Sequence, residues 1–224
     1  MQHRFLTCVF FWAIAIFPSF AQTTKPALFE NEIKAFEGSD KTNPPPQHAI
    51  LFIGSSSIRL WTNLAQDFPE HKVINRGFGG SQIIDSVNYA ERIVVPYHPR
   101  LILLYAGGND INAGKTAEQV FGDFKAFVEK IHTALPSTRI KYISIAPNPA
   151  RWAQIDRVKK ANALIRAYTE KDPKLQFINV YSEMLGEDGK PLPDIYREDK
   201  LHMNANGYRI WTAIIKPYLD QSQN

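Results

Sequence analysis

Beyond residue 21 the chain has no cysteine. The single one, Cys8, lies in an apolar run near the start. The remainder can hold no disulfide, no thiolate nucleophile and no cysteine metal ligand. Charge imbalance is also small: 26 Lys and Arg face 22 Asp and Glu, a formal +4. No dense Lys/Arg cluster occurs, which argues against a nucleic-acid partner. Long hydrophobic runs are missing too. The apolar stretch at residues 5–17 falls short of the ~20 residues a spanning helix needs. There is no internal repeat and no low-complexity tract.

What is present suits one globular unit. At 224 residues, 44% of them hydrophobic, the chain can bury one sizeable core but is short for two domains. Residues 1–21 read as a signal peptide. His3-Arg4 precedes the apolar run, and Ser19-Phe20-Ala21 offers small residues for cleavage before Gln22. An uncleaved anchor is the alternative. Export without disulfides suits a periplasmic or secreted protein, with no stable membrane insertion once the leader is removed. Residues 22–47 read as an N-terminal extension. In it Phe29, Ile33 and Phe36 fall at helical spacing, predicting a docking helix that Gly38 and Pro44-Pro45-Pro46 end. Residues 48–224 form the main domain.

That domain alternates strand and helix signals. Strands are predicted at 49–53, 73–75, 100–105, 140–145 and 175–181. Helices are predicted at 57–66, 83–94, 116–134, 153–171 and 204–219. Nearly continuous apolar strands between amphipathic helices argue for a five-stranded parallel sheet covered on both faces, a doubly wound α/β/α sandwich. Ligands of such sheets sit outside the carboxyl ends of the strands. The unusual loops all follow strand ends.

The first of these loops is Gly54-Ser55-Ser56-Ser57, at a helix start. Unpaired N–H groups there favour negative charge, so a serine could cap the helix or attack a carbonyl beside ready-made donors. A serine nucleophile needs a base. His48, His71 and His98 sit near strand starts, at the wrong end of the sheet. His132 lies within a helix, and His3 lies in the leader. His202 follows the fifth strand, and Asp199 stands three residues before it, able to reach the imidazole within one turn. Gly80 closes a glycine-rich loop after the second strand. Asn109 follows the third. Their N–H groups, with that of Ser56, would make three donors for an oxyanion. Separately, each feature is equally a turn or cap; together they occupy successive strand ends.

The ordered set Gly54-Ser55-Ser56, Gly77-Phe78-Gly79-Gly80, Gly107-Gly108-Asn109-Asp110 and Asp199-Lys200-Leu201-His202 resembles the four sequence blocks of the SGNH/GDSL hydrolases. The resemblance covers nearly all of the chain after the leader. It implies a flavodoxin-like sandwich, ester hydrolysis through an acyl-serine, and no metal or organic cofactor. It carries the nucleophile onto Ser56, the base and its orienter onto His202 and Asp199, and the oxyanion donors onto Ser56, Gly80 and Asn109. Ser55 departs from the pattern, which has aspartate before the nucleophile.

The substrate is less legible. No inserted lid is evident, so a short acyl group on a soluble alcohol is expected. Arg151 and Trp152, after the fourth strand, are substrate-binding candidates that could seat a sugar ring; Trp152 could equally be ordinary packing. Trp61, Trp211 and Tyr105 read as core. Acetyl esters of extracellular carbohydrate are the leading expectation. The alternatives are a periplasmic lysophospholipase or thioesterase, a non-catalytic carbohydrate-binding protein, or a phosphate-binding domain using the Gly54 loop.

Overall fold

The computed structural model describes residues 28–220; the leader lies outside them. Five strands, β1 (Ile50–Gly54), β2 (Val73–Gly77), β3 (Leu101–Tyr105), β4 (Arg139–Ile143) and β5 (Leu175–Ile178), form one sheet in the order β2-β1-β3-β4-β5. Every pairing is parallel. Alternate residues serve opposite faces. Leu51, Ile53, Ile102, Leu104, Ile140 and Tyr142 face one core; Ile50, Phe52, Leu101, Leu103 and Ile143 face the other. Burial on both faces explains why these strands read as unbroken apolar runs.

Helices α1 (Glu30–Thr42), α4 (Ile83–Ile93), α6 (Ala117–Ala134) and α7 (Ile155–Thr169) cover the first face. The short α2 (Ser56–Arg59), α3 (Leu64–Asp67) and the long α8 (Ala205–Leu219) cover the second. The remaining helix, α5 (Gly108–Asn112), is a short one at the end of β3. Trp61 and Trp211 are fully buried in the second core, 5.9 Å apart edge to face. The chain leaves β1 over one face and returns to β3 over the other. The β1 and β3 carboxyl ends are therefore the switch point where doubly wound sheets bind ligands.

Three of the differences from the sequence expectation have a visible tertiary cause. The helix after β1 is not continuous over 57–66 but stops at Arg59 and resumes at Leu64. Asn75 on β2 donates its side-chain amide to the carbonyl of Ile58 at 2.7 Å, and more weakly to that of Trp61. Both carbonyls also accept from the backbone three residues on, at Trp61 and Leu64, so the segment runs through turns instead of a continuous helix. Helix α1 runs through Gly38 instead of ending there. The roughly 1 kcal/mol that a mid-helix glycine costs is offset by tertiary ties on both sides of it: Glu37 to Arg92, and Asp40 to Arg76 and Tyr97. Strand β5 stops at Ile178 because the Ser144 hydroxyl accepts from the N–H groups of Val180 and Tyr181, in place of a ladder partner.

One buried charge gives a stability prediction. Lys141 on β4 is 3% exposed, and its Nζ donates to the Tyr218 carbonyl near the end of α8. Burial, with Arg139 and Arg100 nearby, lowers its pKa from 10.5 to about 8. Between those values the unfolded chain holds a proton that the folded chain has released, so folding gains stability as pH rises. Lys141→Met removes this dependence. Relative to that variant, the wild type should gain about 2 kcal/mol of unfolding free energy between pH 7 and pH 9.5. Urea titrations at the two pH values check this; an unchanged difference would place the Lys141 ammonium in contact with water.

Candidate active site

The site begins with how β1 ends. Gly54 has φ +136°, and a Cβ there would lie 1.9 Å from the Tyr105 carbonyl oxygen, so only glycine fits. The chain then folds sharply into α2. The Ser55 N–H donates to Tyr105 O at 2.9 Å, and the Ser55 carbonyl accepts from Ile58 N–H at 3.0 Å. Ser56 is left as the first residue of α2, at the carboxyl edge of the sheet. Ser57 has a supporting role: its carbonyl accepts from Tyr208 Oη at 2.8 Å.

His202 arrives from the opposite side, on the segment between β5 and α8. Asp199 shapes that segment. Its Oδ1 accepts from the backbone N–H groups of Leu201 and His202, both at 2.9 Å, and its Oδ2 lies 2.6 Å from His202 Nδ1. Lys200 between them takes φ +55°. An isolated bridge between Tyr196 and Met203 closes the loop. With Nδ1–H donated to Asp199, Nε2 is free to accept, and Ser56 Oγ lies 2.9 Å from it. Burial alone would push the Asp199 carboxyl up. The hydrogen bonds from the His202 ring and from the two N–H groups outweigh it and bring the carboxyl down to about 2. Asp199 is therefore a fixed anion beside the imidazole. Among the described residues the other histidines lie elsewhere; His132 Nε2, for instance, is 3.0 Å from Thr138 O.

Asn109 sits on α5. Its Nδ2 donates to the Ser81 carbonyl at 3.0 Å, and its Oδ1 accepts from Arg151 Nη1 at 2.9 Å. The second bond fixes which way the amide points. Asp110, next in the chain, is wholly buried. It accepts from the Ile83 N–H at the start of α4 and from Lys115 Nζ at 2.9 Å. Burial raises its carboxyl, and Lys115 opposes that rise. Asp110 thus fastens α5 to α4, a tertiary role that its sequence position did not reveal.

Ser56, Asn109, Arg151 and His202 line one small cavity with Tyr105 and Asn148, of about 30 Å³. Trp152 and Gly80 are not among its lining residues. Gly80, at φ +81°, lies one residue before Ser81, whose carbonyl holds Asn109. Arg151 is brought in, but through Asn109 and not toward open solvent. Its backbone N–H is capped by Asn148 Oδ1, and the adjoining Ala150 N–H donates to Lys200 O, joining this loop to the His202 segment. Tyr105, read as core, both packs on Trp211 at 4.7 Å and lines the cavity. Among the described residues, no three His, Cys, Asp or Glu side chains are grouped as a metal ion would require.

A serine hydroxyl on an imidazole, an imidazole on a carboxylate and a clamped amide at the same strand ends are the equipment of an acyl-transfer enzyme. The sequence profile of the GDSL-like lipase/acylhydrolase family matches residues 52–210, and the chain belongs to that family. It is an ester hydrolase on a five-stranded parallel α/β/α sandwich. It is similar to the human platelet-activating factor acetylhydrolase IB subunit alpha1, with 27% identity over 183 residues, covering 76% of this chain and 74% of that one. Among solved structures, a GDSL-like lipase from Bacteroides thetaiotaomicron superposes with a TM-score of 0.72 at 23% identity, covering 85% of this chain and 98% of the other. A carbohydrate esterase family 3 protein from Talaromyces cellulolyticus superposes at 0.61 and 16% identity, covering 76% and 95%. At these identities the solved structures bear on the fold.

Proposed function

We propose that the chain hydrolyses short-chain esters, acetyl esters of carbohydrate foremost, through an acyl-serine on Ser56. The Ser56 hydroxyl attacks the ester carbonyl carbon and passes its proton to His202 Nε2. The carbonyl oxygen becomes an oxyanion that faces the Ser56 and Gly80 N–H groups and Asn109 Nδ2. Collapse breaks the bond to the alcohol, which leaves with the proton from Nε2. Water then attacks the acyl carbon, gives a proton back through Nε2, and releases the carboxylic acid with Ser56 restored. Asp199 holds the imidazole in its tautomer and stabilises the imidazolium.

The observation that carries the acyl preference is the cavity. At about 30 Å³ beside Ser56 and His202, it holds two or three atoms of water size at roughly 10–15 Å³ each. A group the size of an acetyl matches this space better than an eight-carbon chain does. The human relative is named an acetylhydrolase, which supports the same acyl group. A sugar alcohol is favoured here by the side-chain amides of Asn148 and Asn109 that line the cavity, together with the export that the leader predicts.

A p-nitrophenyl ester series tests the acyl size. kcat/KM for the acetate should exceed that for the octanoate by ~100-fold or more. Equal or faster octanoate hydrolysis would move the reading to a lysophospholipase or thioesterase. Acetylated oligosaccharides, lysophospholipids and acyl thioesters compared in one panel then separate the alcohols.

A further inference from the structure

The N-terminal helix α1 begins outside residues 52–210, the stretch that the family profile covers. It nevertheless reaches the loop that ends in Gly80. Two side chains one turn apart on the α1 side grip two successive loop residues. The Phe29 ring stands edge-on to Phe78, with centroids 5.1 Å apart, and both rings are buried. Glu32 Oε1 accepts from the Gly79 N–H at 3.2 Å. The same oxygen lies 3.6 Å from Arg59 Nη1, on the nucleophile helix α2. Gly79 also packs directly on that guanidinium; a Cβ at Gly79 would lie 2.6 Å from Arg59 Cζ. On the strand side, the Phe78 N–H donates to the Gly54 carbonyl at 2.9 Å, the residue two before Ser56. The loop is thus held between β1, α2 and α1. Gly80 follows at once, with positive φ and open space around it.

We propose that Glu32 is a positioning residue of the oxyanion loop. Its carboxylate takes the Gly79 N–H and the Arg59 guanidinium together and so restricts the direction of the next N–H, that of Gly80, to which the mechanism above assigns the oxyanion. A glycine pair at the end of a strand has many backbone states available. An acceptor on Gly79 removes most of them before substrate arrives, which is the preorganisation an oxyanion donor needs. The rest of α1 serves as the mount. Glu30 and Glu37 both hold Arg92 on α4, at 2.8 and 2.6 Å, and Asp40 holds Arg76 on β2. On this account Glu32 alone of the α1 acids acts on the oxyanion loop, and Glu30, Glu37 and Asp40 only fasten the helix to the core.

The inference rests on the acyl-serine reading above, and the test separates the two. Steady-state kinetics on p-nitrophenyl acetate compare the wild type with Glu32→Ala, Glu32→Gln and Glu37→Ala, each checked for an unchanged circular dichroism spectrum and for Tm. Glu32→Ala should lower kcat by about tenfold with KM within about twofold, because the lost order is felt in the transition state. Glu32→Gln keeps an amide oxygen for the Gly79 N–H and should recover most of that loss. Glu37→Ala loosens the same helix at its far end and should lower Tm without changing kcat. A Glu37→Ala loss of kcat equal to that of Glu32→Ala would reduce α1 to a stabilising element and overturn the proposal. So would wild-type kcat in Glu32→Ala. A wild type that hydrolyses none of the esters and takes up no fluorophosphonate would instead remove the acyl-serine reading beneath it.

Discussion

Ser56→Ala should lower kcat/KM on p-nitrophenyl acetate by roughly 10⁴-fold or more, and His202→Ala and the double variant should reach the same floor. The non-additivity is the informative part. Ser56 Oγ and His202 Nε2 are 2.9 Å apart and act as one proton-transfer unit, so removing either leaves the other nothing to do. Two independent contributions would multiply. Ser55→Ala and Ser57→Ala are the controls, and both should keep activity within about tenfold. Ser55 works through its backbone, donating to Tyr105 O, and its side chain makes no cap hydrogen bond to α2. Ser57 gives its carbonyl to Tyr208, and its hydroxyl lies against the buried Tyr105. Alanine retains both backbone functions. Asp199, held down at about 2, stays ionised across the assay range. Loss of rate on mild acidification therefore does not come from protonation of Asp199. Full activity in Ser56→Ala would assign the nucleophile elsewhere.

The positions of this machinery were legible because each lies where a strand signal stops and a polar or glycine-rich segment begins. A buried parallel strand announces itself as an apolar run, and its carboxyl end is defined by the run's last residue. Five such ends carried Ser56, Gly80, Asn109, Arg151 and, after a longer segment, the Asp199–His202 pair. What stayed hidden is what depends on partners distant in sequence. Asn75 reaches the Ile58 carbonyl, where the helix after β1 ends, from 17 residues away. Arg151 could be placed beside the site, but not against Asn109, 42 residues earlier. Trp152, an aromatic on the same loop, is not among the residues lining the cavity. Glu32 was the hardest to see. In the sequence it is one acid among several in the first turns of a surface helix, and its partner is a backbone N–H 47 residues on. Only α1's apolar spacing, with Phe29 and Ile33 toward the core, hinted that this helix would dock at all.

The second large effect concerns Asn109, and it decides what Arg151 does. Asn109→Ala removes the Nδ2 donor from the oxyanion and should lower kcat by roughly 10²–10³-fold with little change in KM. Arg151→Met keeps the length of the side chain but not its donor to Oδ1. Asn109 is then free to turn its amide, and kcat should fall by about tenfold. Burial lowers the Arg151 guanidinium's pKa from its ordinary value, yet an arginine remains charged at any assay pH. Its charge could therefore act on the substrate directly or only through Asn109. A double-mutant cycle distinguishes these routes. If Arg151 acts by orienting Asn109, the Asn109→Ala/Arg151→Met enzyme is no slower than Asn109→Ala alone, since there is no amide left to orient. If the guanidinium instead binds the sugar or the leaving oxygen, the two losses multiply and Arg151→Met raises KM. The 2.9 Å bond between Nη1 and Oδ1 favours the first outcome. An arginine whose donor is already committed to a neighbouring amide has less to offer a ligand, and its effect on rate should pass through the residue it holds.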